Sequence, residues 1–180
     1  MSRLPPSVEA AVARYLGLAD RALPGRIIGF HVVGSVALGG YRPARSDIDF
    51  VAILDRSLDA AELRRLKAAI VASGVRSALP DLARGRLSLP GVCNGVFITA
   101  DDVAKPVTTI VPVASHAGHS IQVGQGFDAN PVVWKTFAEH GITVRGDDAS
   151  TLPLDPEPDR LEAWNRDNLV RYWQPWAERA

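Results

Sequence analysis

The sequence contains little cysteine and no net charge, and each absence excludes a class of protein. Its 180 residues include one cysteine, Cys93, so an internal disulfide cannot form. The 20 basic and 20 acidic side chains cancel, which argues against a nucleic-acid partner. No apolar run approaches the ~20 residues of a membrane helix, and the N-terminus lacks the apolar core of a signal peptide. We therefore expect a cytoplasmic protein with no membrane contact.

Composition divides the chain into three parts. The chain as a whole has the apolar and charged content of an ordinary globular protein, and residues 1–150 are predicted to form its main domain. Residues 151–160 are rich in proline and acidic residues, which is typical of a linker. Residues 161–180 read as an amphipathic helix whose apolar side carries Trp164, Leu169, Tyr172, Trp173 and Trp176. This helix either folds back on the first domain or begins a second, helical domain of which it is the only part present.

Hydrophobic periodicity predicts alternating helices and strands. Ser7 is a candidate N-cap, Gly74 a candidate helix end, and Asn130 a cap for a helix that begins at Pro131. The predicted helices are 7–22, 58–73 and 131–140, and the predicted strands are 26–33, 47–54, 92–99, 120–123 and 142–145.

The most informative segment runs from Phe30 to Leu54. A strand leads into a Gly34-Ser35 turn, and after eleven intervening residues Asp47 and Asp49 open a second strand. Because side chains alternate along a strand, the two carboxylates share one face and Ile48 points into the protein. Such a pair is costly without a cation, and Mg²⁺ is the usual occupant, completed by water and phosphate oxygens. The backbone of the turn could bind phosphate. The segment therefore predicts a site for a magnesium nucleotide.

This pattern resembles the nucleotidyltransferase superfamily, and most closely the streptomycin/spectinomycin-type aminoglycoside adenylyltransferases. The resemblance rests on the Gly34-Ser35 turn, Gly39-Gly40, Arg42-Pro43 and Ser46-Asp47-Ile48-Asp49. It implies an α/β (α+β) nucleotidyltransferase fold, with a mixed β-sheet flanked by helices and the beginning of a C-terminal helical domain.

The resemblance also implies a function and a set of site residues. The enzyme would move AMP from ATP to a hydroxyl of a small aminoglycoside-like acceptor, which is an antibiotic-resistance activity. Asp47 and Asp49 would be catalytic and would bind Mg²⁺. The residues implied in nucleotide binding are Gly34, Ser35, Ser46 and Arg42, with Arg45 as a further source of positive charge.

One departure from the family puts the activity in doubt. The family uses a glutamate on the following strand as general base, and that position is Asn94 here. An amide cannot accept the proton. The candidate substitutes are Asp101, Asp128, His116 and His119. A family aromatic residue expected near Gln125-Gly126 is also missing. The alternatives are a nucleotide-binding pseudoenzyme, which could pair through its aromatic C-terminal helix, or a toxin–antitoxin-type transferase.

Four other residues read as outside the catalytic machinery. His116 and His119 form an H-x-x-H pattern without the further ligands that zinc requires, and we expect them to be solvent-exposed loop histidines. His31 lies on an apolar strand and is expected to be a hydrogen-bonded core residue. No His–Asp arrangement accompanies Cys93, so a nucleophilic role is not expected.

Overall fold

In the computed structural model, the described residues form a six-stranded sheet with helices on both faces. The structure describes residues 4–43, 45–82, 92–118, 120–124, 126 and 128–178, and only the backbone of residues 72–82. The helices are α1 Pro6–Ala22, α2 Gly34–Ala37, α3 Ala60–Leu82, α4 Pro131–His140, α5 Pro158–Asn168 and α6 Gln174–Ala177. The strands are β1 Ile27–Val32, β2 Ile48–Leu54, β3 Cys93–Thr99, β4 Ala114–Ala117, β5 Ser120–Val123 and β6 Ile142–Arg145.

The sheet has the strand order β5-β4-β3-β2-β1-β6. β2 and β3 are parallel, and the other neighbouring pairs are antiparallel. The sheet is therefore mixed, as the nucleotidyltransferase fold implies. β2 lies near the middle, which explains its continuous apolar sequence, because both of its faces are covered.

Two hydrophobic cores lie on opposite faces of the sheet. Along β2, Phe50 and Leu54 face α1 and α3. Val51 and Ile53 face α4, where they pack with Trp134 and Phe137. The predicted alternation is thus confirmed, and the odd-numbered positions of β2 point to the α4 face.

Several predicted boundaries are confirmed and two are wrong. Asn130 caps α4, because its side-chain oxygen accepts hydrogen bonds from the N–H groups of Val132 and Val133 at 3.0 Å. Ser7 is not the cap of α1, which begins at Pro6 with Pro5 before it. Gly74 does not end α3, which continues to Leu82. A single glycine inside a helix costs only about 1 kcal/mol and does not by itself terminate it.

The C-terminal segment is only partly packed. The predicted linker lies against the body, since the N–H of Val107 donates to the carbonyl of Asp155 at 3.1 Å. Leu161 and Trp164 are half-buried, whereas Trp173 and Trp176 are 49% and 55% exposed. Residues 169–173 form a π-helical turn between α5 and α6. Among the described residues, no helix combines the length and apolar character that a membrane crossing requires.

Candidate active site

The turn after β1 brings the backbone against the second carboxylate of the Asp pair. Gly34 has φ +60°, and a Cβ at this position would lie 2.0 Å from Asp49 Oδ2. Only glycine therefore fits here, for reasons of both conformation and space. The backbone N–H of Ser35 donates a hydrogen bond to the Asp49 carboxylate. The Ser35 N–H thus faces Asp49, and phosphate binding by the N–H groups of this turn stays a prediction.

The two carboxylates lie on the same face, as predicted. Asp47 is exposed just before β2, Asp49 is half-buried, and the side chain of Ile48 between them is fully buried on the opposite face. Burial, followed by the charges of Asp47 and Asp128, raises the pKa of Asp49 to about 7, against the opposing effect of the Ser35 hydrogen bond. The carboxylates repel one another in the absence of a cation.

The donor set of this site fits a magnesium nucleotide. Two carboxylates with water and phosphate oxygens are the usual ligands of Mg²⁺. Within the described residues, no group of three or more His, Cys, Asp or Glu side chains is arranged to hold a metal. The buried Ser35 Oγ has no hydrogen-bond partner among the described residues. An orphaned hydroxyl beside the Asp pair is a donor available to a phosphate oxygen.

Asn94 lies next to the Asp pair, on the neighbouring strand. In the parallel register of β2 and β3 it is the partner of Asp49. Its Nδ2 donates to Asp47 Oδ2 at 2.5 Å, and its Oδ1 accepts from the N–H of Gly118 at 2.8 Å. The position inferred from the resemblance therefore does face the two aspartates. What the sequence did not predict is that the amide binds Asp47 directly.

The two acidic candidates for the base lie at different distances from the Asp pair. The charge of Asp128 raises the pKa of Asp49, and burial followed by the charge of Asp47 raises the pKa of Asp128 itself. Asp128 therefore lies within electrostatic range of both aspartates. Asp101 follows the C-terminal end of β3, in a 3₁₀ turn over Ala100–Asp102, so it lies at the opposite end of this strand from Asn94.

His116 lies away from the Asp pair, and the expectation that it is an exposed loop residue is wrong, because it is buried in β4. His116 pairs with Gly95 and points to the α1 face, where its ring stacks on Tyr15 with centroids 5.6 Å apart. It is a core residue on the wrong side of the sheet. His119 and Gln125 lie outside the described residues. Gly126 has no room for a side chain, because a Cβ there would lie 2.7 Å from Val96 Cγ1.

The loop before β2 places Ser46 and two arginines next to Asp47. Ser46 Oγ accepts a hydrogen bond from the N–H of Arg42 at 3.1 Å and so helps to close this loop. Arg42 and Arg45 are exposed. In the part of the chain that the structure describes, neither guanidinium has a carboxylate partner, so both are available to an anion.

The two remaining residues are structural, as predicted. His31 is fully buried, and its Nδ1 lies 3.1 Å from Thr143 Oγ1. Burial lowers the pKa of His31 to about 4. Cys93 is buried, and burial raises the pKa of its thiol to about 12. A thiol with so high a pKa is a poor nucleophile.

Comparison with known proteins agrees with this geometry. The family model of the nucleotidyltransferase domain matches residues 18–87, which include the turn and the Asp pair. No curated protein sequence matches the chain. Among solved structures, spectinomycin adenyltransferase AAD(9) from Enterococcus faecialis, crystallised with ATP and spectinomycin, has a TM-score of 0.58 at 12% identity. The alignment covers 92% of this chain and 68% of that one. At this identity the likeness establishes the fold. Residues 18–87 therefore match the nucleotidyltransferase domain family, and the chain shares the fold of that structural neighbour.

Proposed function

We propose that the chain transfers AMP from magnesium ATP to a hydroxyl group of a small aminoglycoside-like acceptor. The observation that carries the proposal is the packing of the Gly34-Ser35 turn directly against Asp49, on the face that Asp47 shares. ATP and spectinomycin, the ligands of the structural neighbour, support this substrate class. We also keep a cytoplasmic location as part of the proposal.

Each site residue has a role in this reaction. Asp47 and Asp49 would hold Mg²⁺, which when bound neutralises phosphate charge and the leaving pyrophosphate. Ser35 Oγ, Ser46 and Arg42 would bind phosphate oxygens, with Arg45 adding charge. The protein's contribution is mainly positioning and electrostatics.

The transfer itself requires a proton acceptor. The acceptor oxygen attacks the α-phosphorus and forms a new O–P bond. The bond from that phosphorus to the bridging oxygen breaks, and pyrophosphate leaves with the electron pair. The acceptor's hydroxyl proton must pass to a base. We assign this role to Asp128, because its pKa is raised by burial and by Asp47, which makes its carboxylate a better proton acceptor.

Pyrophosphate release from ATP with a panel of aminoglycosides tests the proposal. We expect acceptor-dependent release that is lost in Asp47→Asn and Asp49→Asn. Asp128→Asn should lower the maximal rate by about 10²-fold or more, with little change in ATP binding. The matched control is Asp101→Asn, which removes an exposed carboxylate just after the C-terminal end of β3. This variant should behave as the native chain. Equal rates in Asp128→Asn and Asp101→Asn would refute the assignment of the base.

A second candidate function is nucleotide binding without transfer. The observation that favours it is the amide at position 94, which makes hydrogen bonds to Asp47 and Gly118 and cannot act as a base. Such a module could pair with a second chain through the exposed aromatic helix that carries Trp173 and Trp176. Magnesium-dependent ATP binding with no turnover on any acceptor, and turnover gained in Asn94→Glu, would favour this function over transfer.

A further inference from the structure

The geometry points to Asn94 as a positioning residue that holds Asp47 in place for the cation. It acts through Asp47 and does not contact the reacting atoms. The inference rests on the proposed function, because it concerns the same metal pair, but it gives the amide at position 94 a role of its own. Asn94 would then contribute to the site, and would not merely mark a position where the expected glutamate is missing.

The hydrogen bonds of Asn94 fix the side chain from both ends. Its Oδ1 accepts from the N–H of Gly118 at 2.8 Å, in the turn between β4 and β5. With that end held, Nδ2 is directed at Asp47 Oδ2 and donates at 2.5 Å. An amide is the side chain that can satisfy both partners, because it has an acceptor at one end and a donor at the other. A glutamate or aspartate would accept from Gly118 but would repel Asp47.

Asp47 needs such support more than Asp49 does. Asp49 is half-buried between fully buried neighbours and receives a hydrogen bond from the N–H of Ser35. Asp47 is exposed and precedes the first residue of β2. Among the described residues, Asn94 is the only side chain that donates a hydrogen bond to it. Without Asn94 the exposed carboxylate of Asp47 would be free to change rotamer. Cation binding would then have to fix this side chain, and the lost conformational entropy would reduce the cation affinity.

The expected size of the effect follows from other metal sites. Residues that orient a metal-binding carboxylate or histidine change affinity or activity by about 10–100-fold when they are replaced. Since Asn94 leaves Asp47 Oδ1 without a hydrogen-bond donor among the described residues, that oxygen stays available to a cation. Removal of Asn94 should therefore raise the Mg²⁺ requirement of the site without abolishing it.

The test is calorimetric and needs no turnover. The full chain is titrated with α,β-methylene ATP at a series of Mg²⁺ concentrations, and again in EDTA. In Asn94→Ala we expect the Mg²⁺ concentration for half-maximal nucleotide binding to rise about 10-fold or more. Binding in EDTA and the melting temperature should stay near the native values. Asn94→Leu, which has a similar volume and no polar group, should show the same rise. The control Asn165→Ala, at an exposed position of α5, should be indistinguishable from the native chain.

The outcomes separate this inference from the proposed function. A native Mg²⁺ requirement in both Asn94→Ala and Asn94→Leu would overturn the inference alone. Equal weakening with and without Mg²⁺ would also overturn it, because it would show a general structural role. If the native chain binds the nucleotide no better with Mg²⁺ than in EDTA, the inference and the proposed function both fail.

Discussion

Replacing Gly34 with alanine is the most direct test of how the site is built. The turn approaches Asp49 so closely that the new Cβ would lie 2.0 Å from Asp49 Oδ2 and 3.0 Å from its Cβ. The neighbour is a carboxylate held by Ser35 and by its place on β2, so it cannot move freely. The substitution should therefore displace the Asp49 carboxylate itself.

The magnitude has two parts. A non-glycine residue at φ +60° costs about 1–2 kcal/mol in conformational strain. Ordinary van der Waals contact begins near 3.4 Å, so the carboxylate or the turn must also shift by about 1 Å or more. A displacement of that size at a catalytic group costs about 10²-fold in rate. The loss of nucleotide transfer should therefore exceed what the loss of stability explains.

Urea denaturation measures the first part. Pyrophosphate release, together with Mg²⁺-dependent nucleotide binding, measures the second. The control is Gly25→Ala, at φ +71° with no atom within 4 Å of the added Cβ. Gly25→Ala should lose about 1–2 kcal/mol of unfolding free energy, and Gly34→Ala should lose at least as much, but only Gly34→Ala should lose Mg²⁺-dependent binding. If Gly34→Ala binds magnesium nucleotide as well as Gly25→Ala does, the turn does not support Asp49 and the reasoning is refuted.

Three further predictions concern stability. Since burial lowers the pKa of His31 to about 4 from 6.5, the unfolded chain binds a proton over this range that the folded chain does not. The contribution of His31 to the unfolding free energy should be complete above pH 6.5 and should decrease as the pH falls toward 4. His31→Gln should make the unfolding free energy less dependent on pH in this range, whereas the control His140→Gln should leave the dependence unchanged. Asn130→Ala should cost about 1 kcal/mol in urea denaturation, because it removes the cap of α4; an unchanged midpoint would contradict the cap. Trp176→Ser should leave the unfolding free energy within about 0.5 kcal/mol of native, because this ring is exposed; a larger loss would show that it is packed.

Much of the fold could be predicted from local patterns. Successive side chains of β2 point to opposite faces of the sheet, so the common face of Asp47 and Asp49 could be predicted from the sequence. The cap at Asn130 was equally local, because a cap uses the backbone two and three residues ahead. The end of α3 could not be predicted in this way. A glycine only weakens a helix, and the residues around Gly74 decide whether the helix continues.

Three features of the site can be predicted from the sequence: the Gly34-Ser35 turn, the two carboxylates on one face and the amide at position 94. They depend on residue identity and on spacing along one or two strands. The other groups of the site depend on how the strands pair in the folded chain. The tertiary structure placed Asp128 in electrostatic range, put His116 on the opposite face of the sheet, and connected Asn94 to both Asp47 and Gly118. Those relations join residues far apart in the chain. They arise from the pairing order of the sheet, which no local pattern specifies.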